Sequence, residues 1–108
     1  MIEFELTEDQ IALRDMAHEF AANEMRPKAA AHDQGHTFPE EIMRKAFEVG
    51  FLTCTVPAEY GGGALKDLET AIVSEELAWG CAGMYTTMMA NSLAFTPILI
   101  FGDRKSVV

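Results

Sequence analysis

Two histidines four residues apart, with an aspartate between them, are the side chains in this sequence that most directly invite a metal site. His32 and His36 flank Asp33, and imidazole and carboxylate groups are common ligands of zinc. Gly35 also lies between the histidines, and the surrounding residues are typical of a loop, so a shared helical face is not expected. The sequence therefore favours a solvated loop over a metal centre here.

Other groups capable of catalysis have simpler explanations. Glu75 and Glu76 are adjacent on a predicted helix, about 100° apart around its axis, so they do not converge as an acid–base pair. The run Gly61–Gly63 lacks the Lys-Ser/Thr pair of a phosphate-binding loop, which favours a flexible connection. Neither Ser74 nor Ser92 lies in the sequence context of a nucleophilic serine.

One stripe of side chains mixes large apolar groups with small ones and hydroxyls. It is predicted on a helix from Ala82 to Ala94, and its members are Tyr85, Thr86, Met89, Ala90 and Leu93. Such a lining suits an apolar slot, in which small residues leave room and larger ones set the depth. Periodicity alone favours plain core packing, so both interpretations stay open at this point.

The segment around this stripe has no charged side chain from Leu77 to Gly102, although 23% of the chain is charged. A helix that is apolar on all sides must be buried in a large core, against a partner or in a membrane. A membrane span is disfavoured because Gly80, Gly83 and Pro97 interrupt the run and no aromatic belt flanks it.

Composition narrows the class of protein. The 108 residues favour a single domain, and eight basic against seventeen acidic residues give a net charge of −9. This balance disfavours nucleic acid and anionic membrane surfaces as partners, because both attract basic patches. Cys54 and Cys81 are interpreted as free thiols. The start, MIEFELTEDQ, lacks the basic and apolar regions of a secretory signal.

The pattern of apolar residues predicts an all-α fold, a bundle of about five helices with short connections. Thr7 to Gln10 fits a capping box that opens the first helix, and Pro27 is expected to bend or end that helix. The other predicted elements are a helix from Pro39 to Gly50, an extended segment Phe51–Pro57, a loop Ala58–Ala64, and helices Leu68–Trp79, Ala82–Ala94 and Thr96–Phe101.

The run SEELAWGCAGMYTTMMANSLAFTPILIFGD, Ser74 to Asp103, resembles the corresponding stretch of the acyl-CoA dehydrogenases, particularly the medium-chain type. The resemblance extends upstream to LTEDQ, the helix interrupted at Pro27, FPEEIMRKAFEVGFL and VPAEYGGG. It covers essentially the whole chain, so residues 1–108 are expected to form the N-terminal α-helical domain of such an enzyme. The middle β-domain and the C-terminal α-domain of the family have no counterpart in this sequence.

The resemblance implies a flavoprotein that uses FAD to convert an acyl-CoA thioester to the trans-2-enoyl-CoA, as in fatty acid β-oxidation. It also implies an electron-transferring flavoprotein as partner, a homotetramer or other homo-oligomer, and a location in the bacterial cytoplasm or the mitochondrial matrix. The family's catalytic glutamate and most of its FAD contacts lie in the two other domains. No catalytic or flavin-contacting residue is therefore assigned to this chain, and the chain alone is expected to be inactive.

What the resemblance transfers to this chain is one wall of the acyl-chain pocket. By position, the substrate-binding residues are Tyr85, Thr86, Met89, Ala90 and Leu93. Medium-chain enzymes tend to have Gln and Glu where this chain has Tyr85 and Met89, so a shorter and more apolar slot is expected. The alternative function is a noncatalytic helical subunit that pairs with a separate flavin-carrying chain.

Overall fold

The computed structural model describes residues 3–103 and confirms the all-helical prediction. Within these residues there are five α-helices, α1 Glu8–Phe20, α2 Arg26–Gly35, α3 Glu40–Glu48, α4 Asp67–Gly80 and α5 Ala82–Phe101. A π-helical segment, Ala21–Met25, joins α1 to α2, and short 3₁₀ turns occupy Phe51–Thr53 and Ala58–Tyr60.

The first helix begins with the predicted capping box. The Thr7 hydroxyl accepts from the Gln10 amide at 3.2 Å, and the Gln10 side chain accepts from the Thr7 amide at 2.9 Å. Regular α-helix is interrupted before Pro27, at the π-helical segment. In an unbroken α-helix the proline ring would clash with the carbonyl of Asn23, and the wider π turn gives that carbonyl room.

The segment Phe51–Pro57 is not extended, so this prediction was wrong. Gly50 has φ 91° and reverses the chain after α3, and residues Phe51–Thr53 then form a 3₁₀ turn. The buried Phe51 ring meets Phe20 edge to face, with 5.2 Å between ring centroids. Burial of this aromatic ring favours a compact turn over a strand, for which the described residues offer no partner.

Helix α5 is longer than the sequence predicts. It continues through Pro97 to Phe101, in place of a break after Ala94 and a separate short helix. Pro97 cannot donate to the carbonyl of Leu93. The helix therefore loses one hydrogen bond at Leu93, which is 68% exposed, and continues without it.

The core lies where α4 crosses α1 and the π-helical segment. Its side chains include Ala17, Ala21, Met25, Val73 and Leu77, all buried. An ion pair of 2.8 Å between Lys45 and Glu24 ties α3 to the same segment. Helix α4 also contacts both α1 and α5.

The molecule is flat. Its extents are 42 × 40 × 19 Å, so it is about two helix diameters thick. The radius of gyration, 14.9 Å, exceeds the roughly 13 Å expected for a compact domain of this length. Ile100 and Phe101 are 65% and 87% exposed. By length and composition α5 would pass for a membrane span, as core helices of soluble proteins also do.

Candidate functional site

A groove of about 270 Å³ lies between α4 and α5 and is closed at one side by the turn after α3. Its lining is mainly apolar, and no lining side chain is charged. The lining residues are Phe51, Cys54, Thr55, Thr70, Val73, Ser74, Leu77, Tyr85, Met88, Met89, Ser92, Leu93 and Thr96. An uncharged, largely apolar concavity of this kind favours a hydrocarbon ligand over a phosphate or a sugar.

Helical spacing explains how the two walls form. On α4 the lining residues recur every three or four positions from Thr70 to Leu77, and on α5 they recur in the same way from Tyr85 to Thr96. Residues at this spacing share one face of a helix. Cys81 is extended, with φ −167° and ψ 115°, and lets α5 fold back so that its stripe faces that of α4.

The structure places three of the five residues predicted for this site in the groove and two outside it. Tyr85, Met89 and Leu93 line the groove, whereas Thr86 and Ala90 are exposed on the neighbouring face of α5. The Thr86 hydroxyl donates to the carbonyl of Ala82 at 2.9 Å, a bond within its own helix. The binding role of all five residues stays a prediction.

The α4 wall and the turn that closes the groove are not predicted from the sequence. From the sequence, Val73 and Leu77 are predicted only as part of an apolar run, and Cys54 only as part of an extended segment. The sequence does contain a signal for the α4 wall, because Thr70, Ser74 and Leu77 recur on one face of the predicted helix Leu68–Trp79.

A chain of hydrogen bonds crosses the groove from α5 to α4. The Tyr85 hydroxyl donates to Ser74 Oγ at 2.7 Å, and Ser74 Oγ donates to the carbonyl of Thr70 at 2.7 Å. The sulfur of Met89 lies 3.3 Å from the same Tyr85 hydroxyl. Two large groove side chains of α5 therefore touch each other, and one of them is fixed to the opposite wall.

The thiol in the groove is not set up for nucleophilic attack. Burial raises the pKa of Cys54, because a thiolate is poorly solvated there. The thiol donates to the carbonyl of Phe51 at 3.2 Å. Cys54 thus stays protonated near neutral pH and serves as part of the apolar wall.

Thr70 provides a test of the packing of this wall. Its hydroxyl oxygen is buried and has no hydrogen-bond partner among residues 3–103. Thr70→Val keeps the shape and removes this oxygen, so it is expected to raise the free energy of unfolding by about 1 kcal/mol. Urea denaturation followed by circular dichroism measures the change. Thr96→Val, which removes a hydroxyl already bonded to the Ser92 carbonyl, is the control and should not stabilise.

A second, more open groove of about 420 Å³ contains the histidines considered for a metal site. The prediction of a loop between the histidines was wrong, because α2 continues through Asp33 to Gly35, and His36 ends that helix with φ 51°. His32 Nδ1 is 2.8 Å from Thr37 Oγ1. Within the described residues no three His, Cys, Asp or Glu side chains come together as a metal site.

Each of the two grooves is small for a flavin dinucleotide and, within the described residues, lacks Lys and Arg side chains. Proteins hold its two phosphates with basic side chains or with the amides of a helix N-terminus. The first groove is lined by no charged residue. The second is lined by Asp33 and by Cys81 and Gly83 at the N-terminus of α5, but by no Lys or Arg. Ligand pockets span about 300 to 1,000 Å³, so the volume of the first groove lies just below this range and that of the second near its lower end. Among the described residues, neither groove by itself therefore offers the Lys or Arg side chains that would hold the phosphates of FAD.

Comparison with known proteins gives one consistent family. Residues 7–106 match the family model described as the N-terminal domain of acyl-CoA dehydrogenase. The chain is 35% identical over 104 residues to the probable medium-chain specific acyl-CoA dehydrogenase 2, mitochondrial, of Caenorhabditis briggsae. That match covers 96% of this chain and 26% of the relative.

Solved structures share the fold. A chain from the structure of the electron transferring flavoprotein of Acidaminococcus fermentans, studied for flavin-based electron bifurcation, matches with TM-score 0.89 and 36% identity over 98% of this chain. Butyryl-CoA dehydrogenase from Megasphaera elsdenii matches with TM-score 0.84 and 26% identity, again over 98%. The matched parts are 28% and 29% of those chains, so this chain spans little more than a quarter of each.

Proposed function

The chain belongs to the acyl-CoA dehydrogenase family, whose N-terminal domain it matches, and on that premise we propose that it forms one wall of an acyl-chain pocket. The groove between α4 and α5 is the observation that carries this proposal. It is apolar and uncharged, and three residues that the family resemblance points to, Tyr85, Met89 and Leu93, line it. A saturated acyl chain needs such a surface, because its binding depends on burying methylene groups.

The reaction we propose for the whole protein is α,β-dehydrogenation of an acyl-CoA thioester. FAD, when bound, supplies the acceptor for the hydride, and an electron-transferring flavoprotein takes up the electrons. Because the chain spans only about a quarter of its relatives, we assign the base and most flavin contacts to the remainder of such an enzyme. The contribution of this chain is to bind and orient the acyl group and to exclude water from it.

The exposed face of α5 fits the same proposal. Leu93, Ile100 and Phe101 leave a broad apolar surface on a molecule only 19 Å thick. Exposed apolar patches of this kind mark contacts with other protein. We propose that the remaining part of the enzyme, or a further subunit of a homo-oligomer, covers this face, in the mitochondrial matrix or in a bacterial cytoplasm.

The test of the proposed wall is Met89→Ala in the complete gene product. Met89 is 38% exposed and narrows the groove beside Tyr85. Shortening it is expected to favour longer acyl chains. The ratio of kcat/KM for a longer over a shorter acyl-CoA should rise roughly fourfold for each methylene that gains a place, since each buried methylene contributes about 0.8 kcal/mol. The measurement is kcat/KM across a series of acyl-CoA chain lengths.

Met16→Ala is the matched control. Met16 has a similar exposure, 44%, but lies on α1, away from the groove. It should leave the chain-length profile unchanged. A profile that Met89→Ala also leaves unchanged would contradict the proposed role of α5 as a wall of the acyl pocket.

A further inference from the structure

The ring of Tyr85 is held across the groove by a hydrogen bond to the opposite helix. Its hydroxyl has one proton and two acceptors within reach, Ser74 Oγ at 2.7 Å and Met89 Sδ at 3.3 Å. The serine oxygen is nearer, and a thioether is only a weak acceptor. The proton therefore goes to Ser74.

The direction of the serine bond is fixed as well. Ser74 donates its own proton to the carbonyl of Thr70, so its oxygen is left to accept from Tyr85. Bonds linked in this way strengthen each other in a poorly solvated place. Both Ser74 and Tyr85 are only partly accessible, and no charged side chain lines the groove to compete for the phenol.

We propose that Ser74 is a positioning residue for chain-length selection. Its hydrogen bond holds the Tyr85 ring across the groove, and the position of this ring determines how much of an acyl chain the groove can hold. This inference rests on the proposed function and adds to it the residue on α4 that controls the wall on α5.

The experiment compares Ser74→Ala, Tyr85→Phe and the double variant in the complete gene product. Each single variant removes the same hydrogen bond and lets the ring turn aside. The ratio of kcat/KM for longer over shorter acyl-CoA substrates is expected to rise roughly two- to tenfold in each, the range that one net hydrogen bond supports. The double variant should shift the ratio no further, because both changes remove one interaction.

Two further variants separate positioning from a general loss of structure. Ser74→Thr keeps a hydroxyl at this position, so this variant is expected to retain the original chain-length profile. Thr87→Val removes a hydroxyl that is bonded within α5, to the carbonyl of Gly83 at 3.1 Å, and that lies outside the acyl groove, so it should not change the profile. A purely structural role would lower activity on all chain lengths alike.

The outcomes distinguish this inference from the proposed function. Unchanged profiles in Ser74→Ala and Tyr85→Phe, or shifts that add in the double variant, would overturn the role of Ser74. If Met89→Ala still changes chain-length preference in that case, the acyl wall stands and only the inference fails. If the complete protein neither binds nor oxidises an acyl-CoA of any length, both fail.

Discussion

Replacing Leu77 with alanine is expected to lower the free energy of unfolding by about 2 to 5 kcal/mol. Leu77 is 1% exposed and lies on α4, where the helix packs into the core and also forms the base of the groove. The loss combines the transfer free energy of the missing methyl and methylene groups with the cavity they leave. Chemical denaturation followed by the fluorescence of Trp79 measures it.

Leu68→Ala on the same helix is the matched control. Leu68 is 54% exposed, so the same change should alter stability by no more than about 0.5 kcal/mol. Equal losses in the two variants would mean that α4 does not present the face toward the core that the structure assigns to it.

Gly80→Ala is expected to lower the free energy of unfolding by about 1 to 3 kcal/mol, although alanine is the better helix former. A Cβ at position 80 would lie 2.7 Å from the Cβ of Ala21 and 3.1 Å from its Cα. The Ala21 backbone belongs to the π-helical segment and cannot move without disturbing the join between α1 and α2. The two helical segments approach this closely only because glycine has no side chain. The same denaturation measurement applies.

Gly83→Ala provides the comparison three residues later. It lies in the first turn of α5, and an added Cβ there has no atom within 4 Å outside the local backbone. This variant should be neutral or gain up to about 1 kcal/mol from helix propensity. If Gly80→Ala were stabilising to the same extent, the close approach of α4 to the π-helical segment would be refuted.

Local chemistry is what the sequence could determine. The capping box at Thr7 depends only on residues within one turn, and it forms as predicted. Gly50 likewise ends α3 in a left-handed conformation, which glycine adopts without steric cost. The order of the helices, the all-α class and the family resemblance follow from such short-range patterns, so the sequence alone predicts them.

Long-range packing decided the rest. The turn at Phe51–Thr53 is not predictable from its own residues, because its stability comes from the contact of Phe51 with Phe20 on a distant helix. The sequence predicts that the first helix is interrupted at Pro27. It does not predict that the interruption covers Ala21–Met25, the segment that packs against α4. Helix α5 continues through Pro97, although the proline removes one helical hydrogen bond.

The same division applies to the candidate site. Tyr85, Met89 and Leu93 share a helical face at a spacing of four, so the sequence alone could group them. That Ser74 on another helix meets the Tyr85 hydroxyl at 2.7 Å depends on how α5 folds back at Cys81. Periodicity describes one helix at a time, whereas a groove is formed by two helices. The α4 wall could therefore be identified only from the tertiary structure.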